Sequence, residues 1–269
     1  MKNAIVLGTV GIATSFAMLA LGYLAGGAGR DAMASPQASI GEALPAGLSR
    51  EGIEAIVHQY LVENPEVLVE AQQVLAAREE AAQKLAQLQT IRSSSSVIFN
   101  ADYDGVIGNP QAPITVVEFF DYNCGYCKRA IKDMEKLVGD NDDVRFVMKE
   151  FPILGPDSQR ASQVSMAFHK LAPQDYAAFH SELMTAPGRV TEASALKVAL
   201  SFGVDEAALR AGMKDPSIAE AIGQTYELAK DLSITGTPSY IIGDEVVFGA
   251  IGHQILQQKI SDAREASGS

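Results

Sequence analysis

The chain has 269 residues, of which 47% are hydrophobic and 20% charged, and its formal net charge at pH 7 is −12. This length and hydrophobic content suffice for one large domain or two small ones with a substantial core, so the fold does not depend on a disulfide. The acidity argues against nucleic-acid binding, for which a basic surface is expected.

The N-terminal segment is almost free of charge. After Lys2 no charged residue occurs before Arg30. The stretch is long enough to cross a bilayer, which takes about 20 apolar residues, and Ala32 to Ala34 offers a small-x-small cleavage site. We therefore predict export, with residues 1–34 acting as a signal peptide that is removed or as an anchor that is retained. Export would place the cysteines where disulfides form and persist.

Two helices are predicted between residues 48 and 91, after a small, polar, proline-bearing linker over residues 35–47. Ser49 is a suitable N-cap for the first helix, while Asn64 followed by Pro65 predicts the start of the second. The second helix then continues without proline or glycine and is rich in alanine, leucine, glutamate and glutamine, which favours one long helix.

The second helix has a thin apolar stripe, and such a stripe needs a partner because it does not stabilise an isolated helix. The serine-rich residues 92–100 predict a flexible linker. A flexibly tethered helix favours contact with other copies, so we predict homo-oligomerisation through residues 48–91. A helical lid packed on the main domain is the alternative. The stripe, at close to heptad spacing, comprises Val67, Ala71, Val74, Ala81, Leu85 and Leu88.

From residue 101 onward, strands and helices alternate. Strands are predicted at Ile114–Phe120 and Val144–Phe151, then in "SYII" and "VVFG" on either side of a "GDE" turn. A long helical region occupies about residues 155–231, and a last helix begins near His253. This order indicates an α/β domain. Within the helical region the predicted N-caps are Thr191, Asp205 and Asp215.

The only two cysteines, Cys124 and Cys127, are separated by two residues. A structural disulfide across so short a loop would remove little entropy from the unfolded chain. A zinc site needs about four ligands, and a second pair is missing. A redox pair remains, because Cys124 follows a strand and opens a helix. There the helix dipole favours the thiolate and lowers a cysteine pKa from about 8.5 toward roughly 3.5–7. Cys127 lies one turn later, within reach of a mixed disulfide.

Two segments resemble one known family. "PITVVEFFDYNCGYCKRA" is similar to the active-site segment of the DsbA-like thioredoxin-fold oxidoreductases, and "TGTPSYIIGD" resembles their loop with a cis-proline, here Pro238. The resemblance implies a thioredoxin fold with a helical insertion over residues 101–269. The whole layout resembles the ScsC-like proteins of bacterial copper-tolerance systems, which carry an N-terminal helical segment through which some members oligomerise.

The resemblance implies a role for each matching residue. Cys124 would attack a disulfide and Cys127 would resolve the mixed disulfide. Thr237, beside Pro238, would offer its backbone to an extended substrate segment. Glu118 matches the buried acid beneath the disulfide and could move a proton to or from Cys127.

Several alternatives remain open at these positions. Glu118 could instead be a carboxylate at the strand end that faces water. Lys149 is either its ion-pair partner or an exposed lysine. His169 and His180 are predicted to be surface or core-edge residues rather than ligands. The dipeptide between the cysteines is Gly125-Tyr126, which would also contact substrate. Strongly oxidising members of the family have Pro-His at this place. Because the dipeptide differs, the redox potential of the pair stays open.

The sequence thus favours a periplasmic thiol–disulfide oxidoreductase that needs no cofactor and acts on cysteine-containing proteins. Threonine before the cis-proline resembles isomerases and reductases. The family resemblance implies a membrane thiol reductant as redox partner and a homo-oligomer, with a trimer favoured. One alternative is a copper-tolerance protein that binds Cu(I) at Cys124 and Cys127, since two thiolates suit Cu(I). Another is a monomeric, membrane-anchored oxidase of the DsbA type.

Overall fold

The computed structural model describes residues 49–267, so the predictions for residues 1–34 and 35–47 lie outside the described range. The chain divides into two compact units, one ending at Ala71 and the other beginning at Gln72. Between residues 49 and 267, no helix combines the length and the apolar character needed to span a membrane.

Two helices begin the described chain. Helix α1 spans Arg50–Glu63 and starts, as predicted, at Ser49, whose hydroxyl accepts a hydrogen bond from the Gly52 amide. Helix α2 spans Glu66–Ser93. Asn64 was predicted to cap the start of α2, but it closes α1 instead, because its amide N–H donates to the Tyr60 carbonyl.

The serine-rich stretch is not a flexible linker. Helix α2 continues to Ser93, and a short helix α3 covers Ser95–Phe99. Ile91 and Ile98 are 2% and 0% exposed and pack against the sheet, and the Gln87 side chain donates to the Leu232 carbonyl over 2.8 Å. The linker prediction was wrong because two buried isoleucines flank the serines and anchor this stretch in the second unit.

A five-stranded sheet forms the centre of the second unit. Its strand order is β1-β3-β2-β4-β5, in which β2 and β3 are parallel and the other neighbours antiparallel. The sequence did not predict β1, which has only four residues and a glycine at each end. The strands are β1 Gly105–Gly108, β2 Ile114–Phe120, β3 Val144–Glu150, β4 Ser239–Ile242 and β5 Glu245–Phe248.

Helices cover both faces of the sheet. One core contains the two cysteines, α4 (Gly125–Asp140), the helical region after β3 and α10 (His253–Ser267). A second core on the opposite face holds Ile91, Ile98 and the C-terminal end of that helical region. The region comprises α5 Pro156–Leu171, α6 Tyr176–Thr185, α7 Glu192–Ser201, α8 Glu206–Gly212 and α9 Pro216–Asp231.

The predicted caps of three of these helices are confirmed. The side chains of Thr191, Asp205 and Asp215 each accept a hydrogen bond from a backbone amide in the first turn of α7, α8 and α9. Each satisfies an amide that has no partner within the helix.

Candidate active site

Cys124 lies at the junction between strand β2 and helix α4. The strand ends at Phe120, a turn follows in which the Cys124 amide donates to the Asp121 carbonyl over 2.9 Å, and Cys124 is the N-cap residue of α4. Its sulfur therefore sits at the positive end of the helix dipole, as the sequence predicted.

The environment of Cys124 favours the thiolate. Both cysteines are free thiols, and Cys124 is 6% exposed. A hydrogen bond from the Cys127 thiol is the main cause that lowers the pKa of Cys124 to about 5, against the effect of burial. The side chain of Thr237 and the backbone amides of Cys127 and Tyr126 add to this lowering. Cys124 Sγ also lies 3.2 Å from the Thr237 carbonyl oxygen.

Cys127 has the opposite character. It is 1% exposed, and its burial is the main cause that holds its pKa well above the usual range of a thiol. Its hydrogen bond to Cys124 and the charge of Glu118 act in the same direction. At neutral pH the pair therefore contains one thiolate and one thiol, and the thiol needs a base before it can attack.

Glu118 is the buried carboxyl group of the site. It is 3% exposed on β2, which excludes the alternative of a carboxylate facing water. Burial, and secondarily the charge of Cys124, raises the pKa of Glu118 to about 8. A carboxyl group that titrates near neutral pH beside Cys127 is suited to accept or return a proton.

Lys149 does not pair with Glu118. In the parallel register of β2 and β3, Lys149 lies opposite Phe119, so its side chain projects from the other face of the sheet. There it is fully buried and forms an ion pair with Asp104. The pairing predicted from sequence was wrong because it depended on a strand register that the sequence does not reveal.

The loop before β4 and the start of α4 border Cys124. The Thr237–Pro238 peptide bond is cis. Tyr126 is 60% exposed, and the guanidinium of Arg129 lies 4.2 Å from the centre of its ring. The structure thus places the Thr237 carbonyl, next to the cis-proline, and the dipeptide that contains Tyr126 beside Cys124 Sγ.

Two residues near the cysteines were missed by the sequence analysis. Asn123 precedes Cys124, and its side chain donates to Ser158 Oγ and the Val190 carbonyl while it accepts from the Val190 amide. Tyr240 lies on β4 directly opposite Glu118. The position of Asn123 beside Cys124 was a signal that could have been used. The pairing of Tyr240 could be found only once the strand register was known.

The two histidines differ in their surroundings. His169 is half-buried, as predicted for a core-edge residue. His180 is instead 0% exposed, and burial lowers its pKa to about 3. Its Nδ1 lies 3.2 Å from the Tyr122 hydroxyl.

Among residues 49–267, no cluster of three or more His, Cys, Asp and Glu side chains is placed to hold a metal ion.

Two protein families match the sequence. Residues 115–261, more than half of the chain, match the DSBA-like thioredoxin domain. The chain belongs to this family of thiol–disulfide oxidoreductases. Residues 50–82 match the N-terminal domain of the copper resistance protein ScsC. The ScsC match covers helix α1 and residues 66–82 of α2, a region that contains no cysteine.

Solved structures of similar proteins agree with this assignment. A thioredoxin-like oxidoreductase from Silicibacter pomeroyi is 38% identical, with a TM-score of 0.60 over 63% of this chain and 97% of that chain. Proteus mirabilis ScsC in a transitional conformation is 30% identical, with a TM-score of 0.60 over 82% and 97%. Salmonella enterica Typhimurium BcfH is 27% identical, with a TM-score of 0.67 over 79% and 95%.

The curated relatives match over part of the chain. Disulfide bond formation protein D of Bacillus subtilis is 28% identical over 165 residues, which are 58% of this chain and 74% of the relative. A Na(+)/H(+) antiporter NhaA 3 of Salinispora tropica is 27% identical over 60% of this chain. The alignment covers only 25% of that antiporter's length.

Proposed function

We propose that this protein is a periplasmic thiol–disulfide oxidoreductase that reduces and isomerises disulfides in other proteins through Cys124 and Cys127. The observation that carries the proposal is the contrast between the two thiols. Cys124 has a lowered pKa at a helix N-terminus, whereas Cys127 is buried with a raised pKa beside Glu118.

The first step uses the Cys124 thiolate. Its sulfur attacks one sulfur of a substrate disulfide, a new disulfide forms between enzyme and substrate, and the old substrate bond breaks. The departing substrate sulfur carries away the electron pair and takes a proton from solvent. An extended substrate segment would pair with the backbone of Thr237 beside Pro238, and Gly125 and Tyr126 would border it.

The second step decides between reduction and isomerisation. In reduction, the ionised form of Glu118 accepts the Cys127 proton; this form is favoured in the mixed disulfide because the Cys124 charge that raises the pKa of Glu118 is gone. Cys127 Sγ then attacks Cys124 Sγ, which releases the substrate thiolate and leaves a Cys124–Cys127 disulfide. A membrane thiol reductant would then restore the two thiols. In isomerisation, another thiol of the substrate attacks the mixed disulfide, so the enzyme pair remains reduced.

The N-terminal helices support self-association. Helix α1 buries none of its residues. Both N-terminal helices carry exposed apolar side chains, which favour association with a partner. Several active sites in one assembly would raise the effective concentration of catalytic thiols around a misfolded client. We propose a homo-oligomer formed through residues 48–91. A trimer is favoured because of the resemblance to ScsC. The exposed residues include Ile56, Val57, Tyr60, Val62, Leu68, Val69, Val74 and Leu75.

The periplasmic location is supported by sequence and similarity. The uncharged N-terminal stretch favours export. A periplasmic thioredoxin-like protein from Salmonella enterica serovar Typhimurium is 30% identical, with a TM-score of 0.58 over 63% of this chain and 94% of that chain. Fractionation of cells that produce the full chain, followed by alkylation of its thiols, tests this location.

Reduction of insulin and reactivation of scrambled ribonuclease test the activity. Cys124→Ser should lose both activities, because no other thiolate can start the exchange. Cys127→Ser should still form mixed disulfides but release them slowly. Wild-type activity equal to that of Cys124→Ser would refute the proposal.

The contribution of the oligomer is tested in the full chain. Leu68→Asp combined with Leu75→Asp places charges on two exposed positions of α2, seven residues apart and on one face. We expect light scattering to show a monomer that keeps its reductase activity and loses most isomerase activity. Glu70→Gln is the matched control on the same helix. A wild type that is already monomeric would contradict the oligomer.

Cu(I) binding at the two thiols is the second candidate. Two adjacent free sulfurs, one of them with a lowered pKa, suit a soft monovalent cation. Cys124 and Cys127 would be the ligands. Anaerobic titration of the reduced protein with Cu(I) against a chelator tests it, with Cys124→Ser as control. Affinity no greater than that of a free CGYC peptide would refute this candidate.

A further inference from the structure

Tyr240 shares the cysteine face of the sheet with Glu118. It lies on β4, two residues after the cis-proline, and is the antiparallel partner of Glu118 on β2. Directly opposed residues on neighbouring strands project from the same face with their Cβ atoms about 5 Å apart. The phenol ring of Tyr240 therefore lies beside the Glu118 carboxyl, on the face that also holds Cys127.

The hydroxyl of Tyr240 is buried without a partner. The side chain is 1% exposed, and within residues 49–267 its oxygen is one of five buried side-chain polar atoms that have no hydrogen bond. Such a group is destabilising, and phenylalanine would fill nearly the same space without that cost. A tyrosine at this position therefore needs an explanation other than packing.

Acidic groups surround this hydroxyl. Burial is the main cause that raises the pKa of Tyr240, and the charges of Glu118, Cys127, Asp133 and Cys124 add to it, with Glu118 the largest of these four. The phenol therefore stays protonated and can donate. A hydrogen bond from a neutral donor to an anion is about twice as strong as one between neutral groups, so the hydroxyl is suited to a neighbour that becomes charged.

We propose that Tyr240 is a positioning residue for Glu118, whose carboxylate its hydroxyl holds by a hydrogen bond when that carboxylate acts as the base for Cys127. This inference rests on the proposed function. In the step concerned, the Cys127 proton moves to a Glu118 oxygen and Cys127 Sγ bonds to Cys124 Sγ. The bond between Cys124 and the substrate sulfur breaks, and that sulfur leaves with the electron pair.

The donor is unpartnered in the reduced protein, where the hydroxyl makes no hydrogen bond to either Glu118 oxygen. There the raised pKa keeps Glu118 largely protonated, so the carboxyl group carries little charge for the hydroxyl to stabilise. Once Glu118 ionises, a side-chain movement that brings the hydroxyl within hydrogen-bond distance of the carboxylate stabilises its charge, as donors aimed at developing charge do in other active sites. Without the hydroxyl, Glu118 would ionise at higher pH and less of it would be available as a base near neutral pH.

Stopped-flow reaction of the reduced full-length protein with dithiobisnitrobenzoate separates the two steps. The first coloured thiol reports attack by Cys124, and the second reports attack by Cys127. We expect Tyr240→Phe to leave the first phase unchanged, to slow the second about tenfold near neutral pH, and to move its pH midpoint upward. Tyr103→Phe, which also removes a buried unpartnered hydroxyl, is the matched control and should change neither phase.

A double-mutant cycle tests whether Tyr240 acts through Glu118. In a Glu118→Gln background, Tyr240→Phe should change the second phase by less than about twofold, because the group it positions is gone. A full additional loss in that background refutes the inference, as does a second phase in Tyr240→Phe with the wild-type rate and pH profile. A wild type that shows no first phase refutes the proposed function itself.

Discussion

Both faces of the central sheet bury carboxyl groups, but within residues 49–267 only one of the faces also buries a cation. On one face Asp104 pairs with Lys149, whose amino group also donates to the Val97 carbonyl. On the other face Glu118 lies beside two cysteines and a tyrosine. Burial raises the pKa of both acids, that of Asp104 to about 7 against the opposing charge of Lys149 and that of Glu118 to about 8 with no cation to oppose it. Asp104 is tied into an ion pair that serves folding, whereas Glu118 lies beside thiols with which it can exchange a proton.

Removal of the buried cation tests the role of the ion pair between Lys149 and Asp104. Lys149→Met should destabilise the protein by about 3–5 kcal/mol, because Asp104 would remain buried without its partner. The ratio of the two thiol-release phases should stay at the wild-type value, since Lys149 lies on the face away from the cysteines. Urea unfolding and the stopped-flow assay measure the two quantities.

A double replacement is the control for this prediction. Asp104→Leu combined with Lys149→Met removes both charges and should recover most of the lost stability. A double variant as unstable as Lys149→Met alone would show that the loss comes from packing and not from an uncompensated charge.

The second prediction concerns the other face of the sheet, where replacing a buried ionisable group should stabilise the protein. The pKa of Glu118 is about 8 in the folded protein, above the value of about 4.3 in an unfolded chain. As pH rises between these values, the unfolded state loses a proton that the folded state keeps, so stability falls. Glu118→Gln removes this fall and should stabilise the reduced protein by about 2–4 kcal/mol at mildly alkaline pH.

The same substitution should slow the second thiol release by about a hundredfold near neutral pH, because Cys127 loses its base. Stability must therefore be compared at acidic and alkaline pH together with the kinetics. At acidic pH, wild type and Glu118→Gln should have similar stability. A variant that is equally stabilised at both pH values would show that packing, and not proton binding, explains the difference.

The smallest expected effect concerns an exposed ion pair. Arg92 at the end of α2 contacts Asp244 over 2.9 Å, and the two side chains are 67% and 58% exposed. Arg92→Ala should cost less than about 1 kcal/mol, since water screens such pairs. Ile91→Ala is the reference in the same turn and should cost about 2–5 kcal/mol, because Ile91 is buried. Equal losses would contradict the view that burial anchors this helix.

The parts of the fold set by local pattern were predictable. Strand β2 has the predicted bounds, β3 differs by one residue, and the caps at Thr191, Asp205 and Asp215 have the expected hydrogen bonds. Apolar runs and capping side chains act over a few residues, so one sequence reveals them. The end of α2 was missed because its packing depends on distant residues.

The candidate site likewise has residues that the sequence revealed and residues that it did not. Cys124 and Cys127 stand out by spacing, and the burial of Glu118 followed from the family resemblance. The partners of Lys149 and Tyr240 depend on which residues lie opposite each other in neighbouring strands. A shift of one residue would move each side chain to the other face. Strand register was therefore the information that the sequence lacked.

The contacts of Asn123 have a consequence for protein engineering. This side chain, one residue before Cys124, is hydrogen-bonded to Ser158 on α5 and to both backbone groups of Val190 before α7. Grafting only the CGYC segment onto a smaller thioredoxin scaffold would leave this amide without its three partners. A working chimera would need to carry the start of α5 and the Val190 loop along with the cysteines, so the transferable unit is discontinuous in the chain.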